Sequence, residues 1–107
     1  MRDMRAESHF GRVMRCFAER PPHVDALLRA SAARVPDAIA LVHGERRVSY
    51  AELDARVERI AGNLHAAGAS HGARVAALLD NGVEQVEITL ACARLGAIFV
   101  PFNIRLA

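Results

Sequence analysis

This sequence of 107 residues contains no lysine, and its 14 basic residues are all arginine. The absence excludes a Schiff-base lysine, a lysine general base and the P-loop lysine that contacts nucleotide phosphates. The glycine-rich patterns Gly-x-Gly-x-x-Gly and Gly-x-x-x-x-Gly-Lys are missing as well. These 107 residues therefore carry no recognisable phosphate-binding motif.

Long apolar segments and paired cysteines are also missing. No apolar run approaches the roughly 20 residues that a membrane span requires, and no long apolar segment resembles that of a secretory signal. The two cysteines, Cys16 and Cys92, are too far apart in sequence for a local metal knuckle. Without an export signal they do not form a disulfide framework. A cytoplasmic location is expected.

The overall composition is that of a small globular protein. Hydrophobic residues make up 52% of the chain and charged residues 24%, which argues against general disorder. The net charge of +2 is too small to indicate a nucleic-acid partner. The length allows one small domain.

Residues 1–22 are expected to be a poorly ordered leader, and residues 23–107 the structured part. Met1–Arg20 is basic and weakly amphipathic, and four apolar residues recur at helical spacing, namely Phe10, Val13, Met14 and Phe17. A transit peptide is an alternative, although the segment also holds the acidic residues Asp3, Glu7 and Glu19. Pro21-Pro22 closes the leader.

A first helix and a hairpin follow the leader. One apolar stripe at i, i+3, i+4, i+7 and i+11 predicts a helix that ends before Pro36 and buries Val24, Leu27, Leu28, Ser31 and Val35. Ile39–Val42 is predicted to be a strand. Gly44 suits the positive φ of a tight turn, after which Arg47-Val48 would return as the second strand.

The central helix has the clearest signals in the chain. Ser49 and Glu52 form a Ser-x-x-Glu capping box, which predicts a helix start. Gly68 predicts the left-handed helix end. The residues between them place one apolar face toward a core, formed by Leu53, Val57, Ile60, Ala61 and Leu64.

The last third of the chain predicts a parallel βαβ unit. Arg74–Leu79 and Ala97–Phe102 have the composition of strands, and Val83–Leu95 that of a helix with apolar residues on several sides. A parallel pair is normally covered on both faces. This unit is therefore expected to need further layers around it.

Three patterns suggest chemistry, and each has a simpler explanation. Gly68–Gly72 matches the Gly-x-Ser-x-Gly nucleophile elbow of esterases, but the predicted order is helix–turn–strand instead of strand–turn–helix. Glu84 and Glu87 could be paired carboxylates, although favourable placement near a helix N-terminus explains them better. The five histidines show no metal-binding spacing, and they are His9, His23, His43, His65 and His71.

The order of the remaining motifs resembles the start of an AMP-forming adenylating enzyme, the superfamily of acyl-CoA synthetases and peptide-synthetase adenylation domains. The resemblance rests on Pro36–Leu41, on Val48–Leu53 with its Ser-Tyr-x-Glu-Leu helix start, on Asn81, and on Leu95–Asn103 with its Gly-Ala-x-x-Val-Pro strand. It covers roughly Val24 to Asn103. It departs at Ala73, where the family usually has Asp, and at Ile104, where a proline is common soon after.

The resemblance implies an α/β fold, the N-terminal part of the large domain of an adenylate-forming enzyme, with a β-hairpin and a parallel βαβ unit packed by helices. Such enzymes use ATP and Mg²⁺ to convert a carboxylic acid, such as a fatty acid, to an acyl-adenylate, and then transfer the acyl group to CoA. The family's phosphate loop and catalytic lysine have no counterpart here, so no catalytic, cofactor-binding or metal-binding residue is assigned.

Two functional hypotheses follow from these observations. The first is a truncated segment of an AMP-dependent synthetase that is inactive alone and binds no cofactor itself. The second is a free-standing interaction module or a subunit of a split synthetase, which would associate with the missing remainder or with itself through exposed apolar surface.

Overall fold

Three helices and three two-stranded sheets make up the computed structural model, which describes residues 3–102. The elements in chain order are β1 Met4–His9, β2 Arg12–Phe17, α1 Val24–Arg34, β3 Ile39–His43, β4 Arg46–Ser49, α2 Tyr50–Ala66, β5 Arg74–Leu78, α3 Val83–Leu95 and β6 Ile98–Phe102. This mixed α/β architecture agrees with the fold class predicted from the sequence. Asn103 and Ile104, which entered the sequence resemblance, lie outside the described residues.

The β3–β4 hairpin leads directly into α2, as the sequence predicts. Gly44 adopts a φ of 62° in the two-residue turn between the paired residues His43 and Arg46. The Ser49 hydroxyl accepts a hydrogen bond from the backbone N–H of Glu52 at 3.1 Å. The same hydroxyl donates to the Glu52 carboxylate at 3.3 Å, whereas a full capping box would pair that carboxylate with the Ser49 backbone N–H. The predicted helix start is confirmed, but the Glu52 carboxylate bonds the Ser49 hydroxyl instead of the Ser49 backbone N–H.

The parallel βαβ unit is also confirmed. β5 and β6 pair in parallel from Arg74 opposite Ile98 to Leu78 opposite Phe102, with α3 as the crossover. The helix has the predicted bounds, and each strand is one residue shorter than predicted. Within residues 3–102, no third strand joins this pair.

The hydrophobic core lies where α2 packs against α3, with α1 and the β3–β4 hairpin at its sides. The predicted face of α2 supplies its centre, because Leu53, Val57 and Ala61 are buried. Ile60 and Leu64 are half-buried against the same cluster. The remaining buried members of the cluster are Leu28, Val48, Val83 and Ala91.

The buried face of α1 differs from the predicted one. Leu28 is buried as expected, but Val24 and Leu27 are 54% and 53% exposed. Asp25, which is not part of the apolar stripe, is 4% exposed because its carboxylate pairs with the buried Arg94 of α3. The ion pair rotates the helix away from the orientation that its apolar stripe alone would select. The two other predicted members of the stripe, Ser31 and Val35, are half-buried.

The expected leader contains an antiparallel hairpin instead of a poorly ordered segment with helical spacing. β1 and β2 pair from Met4 opposite Phe17 to His9 opposite Arg12. Phe10 and Gly11 form the two-residue turn with φ values of 51° and 77°, and positive φ at both positions characterises the turn type that matches strand twist. In this register, Met4 and Phe17 lie on one face of the hairpin, and Arg5 and Cys16 lie on the other. The division at residue 22 stays a prediction.

Candidate functional site

The most extensive polar arrangement in the described structure surrounds the guanidinium of Arg94, near the C-terminus of α3. Its Nε donates to Asp25 Oδ1 of α1 at 2.8 Å. One terminal nitrogen donates to Asp54 Oδ1 of α2 at 2.5 Å, and the other donates to Glu58 Oε2 at 3.0 Å and to the Asp54 carbonyl at 3.3 Å. Arg29 Nε completes this Arg94 cluster by donating to Asp25 Oδ2 at 2.6 Å.

Burial and charge make the Arg94 cluster a structural element. The side chains of Arg94 and Asp25 are 6% and 5% exposed. Burial alone would raise the pKa of Asp25, but hydrogen bonds from Arg29 and Arg94 outweigh it and hold that pKa below its usual range. With the Arg94 cation enclosed by carboxylates from two other helices, the cluster joins all three helices.

A second polar arrangement, the Glu87 cluster, lies at the other end of α3. Glu87 is 1% exposed, and its Oε2 accepts a hydrogen bond from Arg56 of α2 at 2.9 Å. Arg46 of the β3–β4 hairpin donates to the exposed Glu84 at 3.1 Å and approaches Glu87 Oε1 at 4.0 Å. Among the described residues, Oε1 has no hydrogen-bond partner. Glu84 and Glu87 therefore each pair with arginine, which favours a structural role for both carboxylates.

The Gly68–Gly72 loop has the reversed context that the sequence predicts for a non-catalytic turn. It follows α2 and precedes β5, so Ser70 does not lie on a strand-to-helix elbow. The carbonyl of Ser70 accepts a hydrogen bond from Ala73 N at 2.9 Å, as in a simple turn. Within residues 3–102, no hydrogen bond joins its hydroxyl to a histidine or a carboxylate. The structure thus provides no support for the esterase hypothesis.

The N-terminal hairpin brings together three side chains that the sequence analysis did not connect. His9 Nε2 lies 3.2 Å from Glu7 Oε1 and 3.6 Å from Cys16 Sγ. Arg20 binds both oxygens of Glu7 at 2.8 Å, and Arg5 Nε binds Oε2 at 2.9 Å. The only sequence signal was the Glu-x-His spacing, which places both side chains on one face only if the segment is a strand.

The β5–β6 pair carries the largest apolar residues left exposed near the C-terminal end of the described chain. Leu78, Ile98 and Phe102 are 51%, 49% and 49% exposed. Beside the end of β5 lies an open depression of about 330 Å³ lined by Asn81, Gly82, Gln85, Val86, Thr89 and Leu90. Ligands of open α/β sheets bind beyond the carboxyl ends of such strands.

His43 is exposed beside its turn, and His65 is exposed on α2. Among the described residues, no helix is both long enough and apolar enough to span a membrane.

Comparison with known proteins gives consistent matches. Residues 28–107 match the family model of the AMP-binding enzyme. Feruloyl-CoA synthase of Amycolatopsis sp is 48% identical over 71 residues, which are 66% of this chain and 14% of that protein. Fatty acid–[acyl-carrier-protein] ligase MmaC of Mycobacterium marinum is 51% identical over 71 residues, covering 64% and 13% of the two chains.

A solved structure matches the fold as well. The N-terminal subdomain of Klebsiella oxytoca NpsA, in complex with 3-hydroxyanthranilyl-AMSN, superposes with a TM-score of 0.76 at 27% identity. The match covers 80% of this chain and 22% of that one. The present chain thus spans about a seventh of the length of the two curated relatives.

Replacement of Arg94 by Met should lower the free energy of unfolding by about 3 kcal/mol or more, since it leaves the buried carboxylates that surround it without their buried cation. Urea denaturation of the 107-residue chain measures this change. Arg29→Met is the matched control, because the Arg29 side chain is 56% exposed, and it should cost less than about 1 kcal/mol. Equal small losses in both variants would contradict a central role for Arg94.

Acid should weaken the Arg94 cluster through Asp25. Its pKa is lowered in the folded state, so its stabilising contribution is complete above the unfolded pKa of about 3.9 and is lost as pH falls below it. In Asp25→Asn, the difference in unfolding free energy between neutral pH and about pH 3 should therefore be smaller than in the parent chain. The pKa of Glu84 is also lowered, by hydrogen bonds from its own backbone and from Arg46, so Glu84→Gln serves as the comparison. An unchanged difference in Asp25→Asn would refute the assignment.

Proposed function

Since this chain belongs to the AMP-binding enzyme family, we propose that it is the N-terminal segment of an AMP-dependent synthetase of the acyl-CoA synthetase type. The complete enzyme would use ATP and Mg²⁺ to convert a carboxylic acid to an acyl-adenylate and would then transfer the acyl group to CoA. A fatty acid is the proposed substrate class and the cytoplasm the proposed location. The relatives' names, one a CoA synthase and one an acyl-carrier-protein ligase, support acyl transfer to a thiol.

The observation that carries this proposal is the contrast between the two sides of the segment. On the helical side, the buried core and the Arg94 cluster provide contacts among α1, α2 and α3. On the strand side, β5 and β6 present exposed apolar residues and have no further strand beside them within residues 3–102. Parallel strands are normally covered on both faces. The segment therefore supplies a scaffold onto which the catalytic part of the domain would pack.

The segment would be inactive by itself because it lacks the groups that bind a triphosphate. The 107 residues contain no lysine and no glycine-rich phosphate loop. The arginines of the Arg94 and Glu87 clusters are paired with carboxylates, and so are poorly placed to bind a triphosphate. We expect no measurable ATP binding by the isolated chain.

A second candidate function is that of a free-standing interaction module or a subunit of a split synthetase. The exposed apolar residues of β5 and β6 favour it, because such surfaces mark association sites. Affinity capture from source cells with an antibody to Ser49–Leu64, followed by intact-mass measurement, separates the two. A product much heavier than 11.6 kDa would support a synthetase, and a product of that mass with a co-purifying protein would support the module.

A segment exchange tests the synthetase proposal directly. The 71 residues of the Amycolatopsis feruloyl-CoA synthase that match this chain would be replaced by the corresponding residues of this chain. We expect the chimera to form feruloyl-CoA from ATP and CoA within about tenfold of the parent rate, because the exchanged residues shape the scaffold and do not perform the reaction.

Two variants of the chimera control this experiment. Ser70→Ala should leave activity unchanged, because Ser70 lies on an exposed turn. Arg94→Met should reduce the yield of folded protein or its melting temperature, because it disrupts the helix contacts. A chimera that folds and melts like the parent synthase but forms no product would refute the proposal.

A further inference from the structure

We propose that Glu7, His9 and Cys16 form a zinc-binding site on the N-terminal hairpin. Glu7 and His9 are two residues apart on β1 and therefore point to the same face. Cys16 of β2 is paired with Arg5, the residue two positions before Glu7 on that face. The hairpin register thus brings a carboxylate, an imidazole and a thiol together, and these are the three ligand types that zinc uses in proteins.

The two distances that His9 makes to the other groups fit one tetrahedral ion. Zn–S and Zn–N bonds of about 2.3 and 2.05 Å place sulfur and nitrogen about 3.6 Å apart at a tetrahedral angle, and Zn–O and Zn–N bonds place oxygen and nitrogen about 3.4 Å apart. The structure has 3.6 Å between Cys16 Sγ and His9 Nε2, and 3.2 Å between Glu7 Oε1 and His9 Nε2. All three ligand atoms lie within 4.8 Å of one another. An ion could therefore bind once the Glu7 and Cys16 side chains turn toward it, without a change of strand register.

The neighbouring arginines orient the carboxylate. Arg20 contacts both oxygens of Glu7, and Arg5 contacts Oε2. Outer contacts of this kind fix the direction of metal ligands in many sites. Oε1 lies beside His9 and would become the ligand atom in place of its hydrogen bond from Arg20.

Binding of zinc would change one hydrogen bond, one proton and the local charge. Zinc would replace the hydrogen bond between His9 and Glu7, and the Cys16 thiol would lose its proton to solvent on binding. The carboxylate and the thiolate then offset the two positive charges of the ion, while Arg5 and Arg20 remain bound at Oε2. Three protein ligands leave the fourth position to water. Because the ligands come from both strands, the ion would link β1 to β2 opposite the Phe10-Gly11 turn.

Titration with Co²⁺, which adopts the zinc geometry and reports thiolate ligation by absorption, tests the site. The 107-residue chain, fully reduced, should bind one equivalent with a thiolate-to-cobalt charge-transfer band that Zn²⁺ abolishes. Cys16→Ser should lose this band although Cys92 remains, which assigns the sulfur ligand. His9→Ala and Glu7→Gln should each weaken zinc affinity about tenfold or more, measured against a chromophoric chelator.

His65→Ala is the matched control, since His65 is exposed on α2, and it should bind zinc like the parent chain. Absence of the charge-transfer band in the parent chain would overturn the proposal whatever the variants do. Saturable binding that is the same in Cys16→Ser and His9→Ala would also overturn it, and would leave the three side chains as a hydrogen-bonded cluster only.

Discussion

The buried guanidinium of Arg94 is the interaction on which the arrangement of the helices depends. Placing a cation in a low-exposure position is costly unless its donors are satisfied by carboxylates in good geometry. Asp25 and Asp54 meet that requirement from two different helices, so the positions of α1 and α2 relative to α3 are coupled through one side chain. The orientation of α1 follows, because Asp25 turns inward and Val24 and Leu27 turn outward. Ion pairing thus decides a helix face that hydrophobic patterning would place differently.

Elements whose signals are local could be predicted from the sequence. The start of α2 depends on Ser49 and Glu52, three residues apart, and the turn of the β3–β4 hairpin depends on Gly44. Both features are present in the structure. The parallel βαβ unit followed from the order of strand and helix patterns. The buried face of α1 could not be predicted in the same way, because Asp25 and its partner Arg94 are 69 residues apart. A periodicity argument weighs apolar residues along one helix and contains no information about such a partner.

The N-terminal hairpin was missed for a different reason. In a segment this short, the positions of Phe10, Val13 and Phe17 fit helical spacing, while the pairing of Met4 with Phe17 becomes visible only after the turn is known. The turn itself is unusual, since Phe10 adopts positive φ, which bulky residues rarely do. The candidate metal ligands depend on this register. Glu7, His9 and Cys16 have no metal-binding spacing as a linear motif, and become neighbours only across two strands.

Polar and apolar surfaces are divided in a way that relates the fold to the proposed role. The described charged groups with least exposure, Asp25, Glu87 and Arg94, all lie at helix contacts and all are paired. The exposed apolar residues of β5 and β6 are instead Leu78, Ile98 and Phe102. Specific ion pairs can fix the helices in one arrangement. The apolar strands are then free to pack against the rest of the domain. A segment built in this way would hold a sheet in position for residues that carry out the chemistry, which agrees with its place at the start of an adenylate-forming domain.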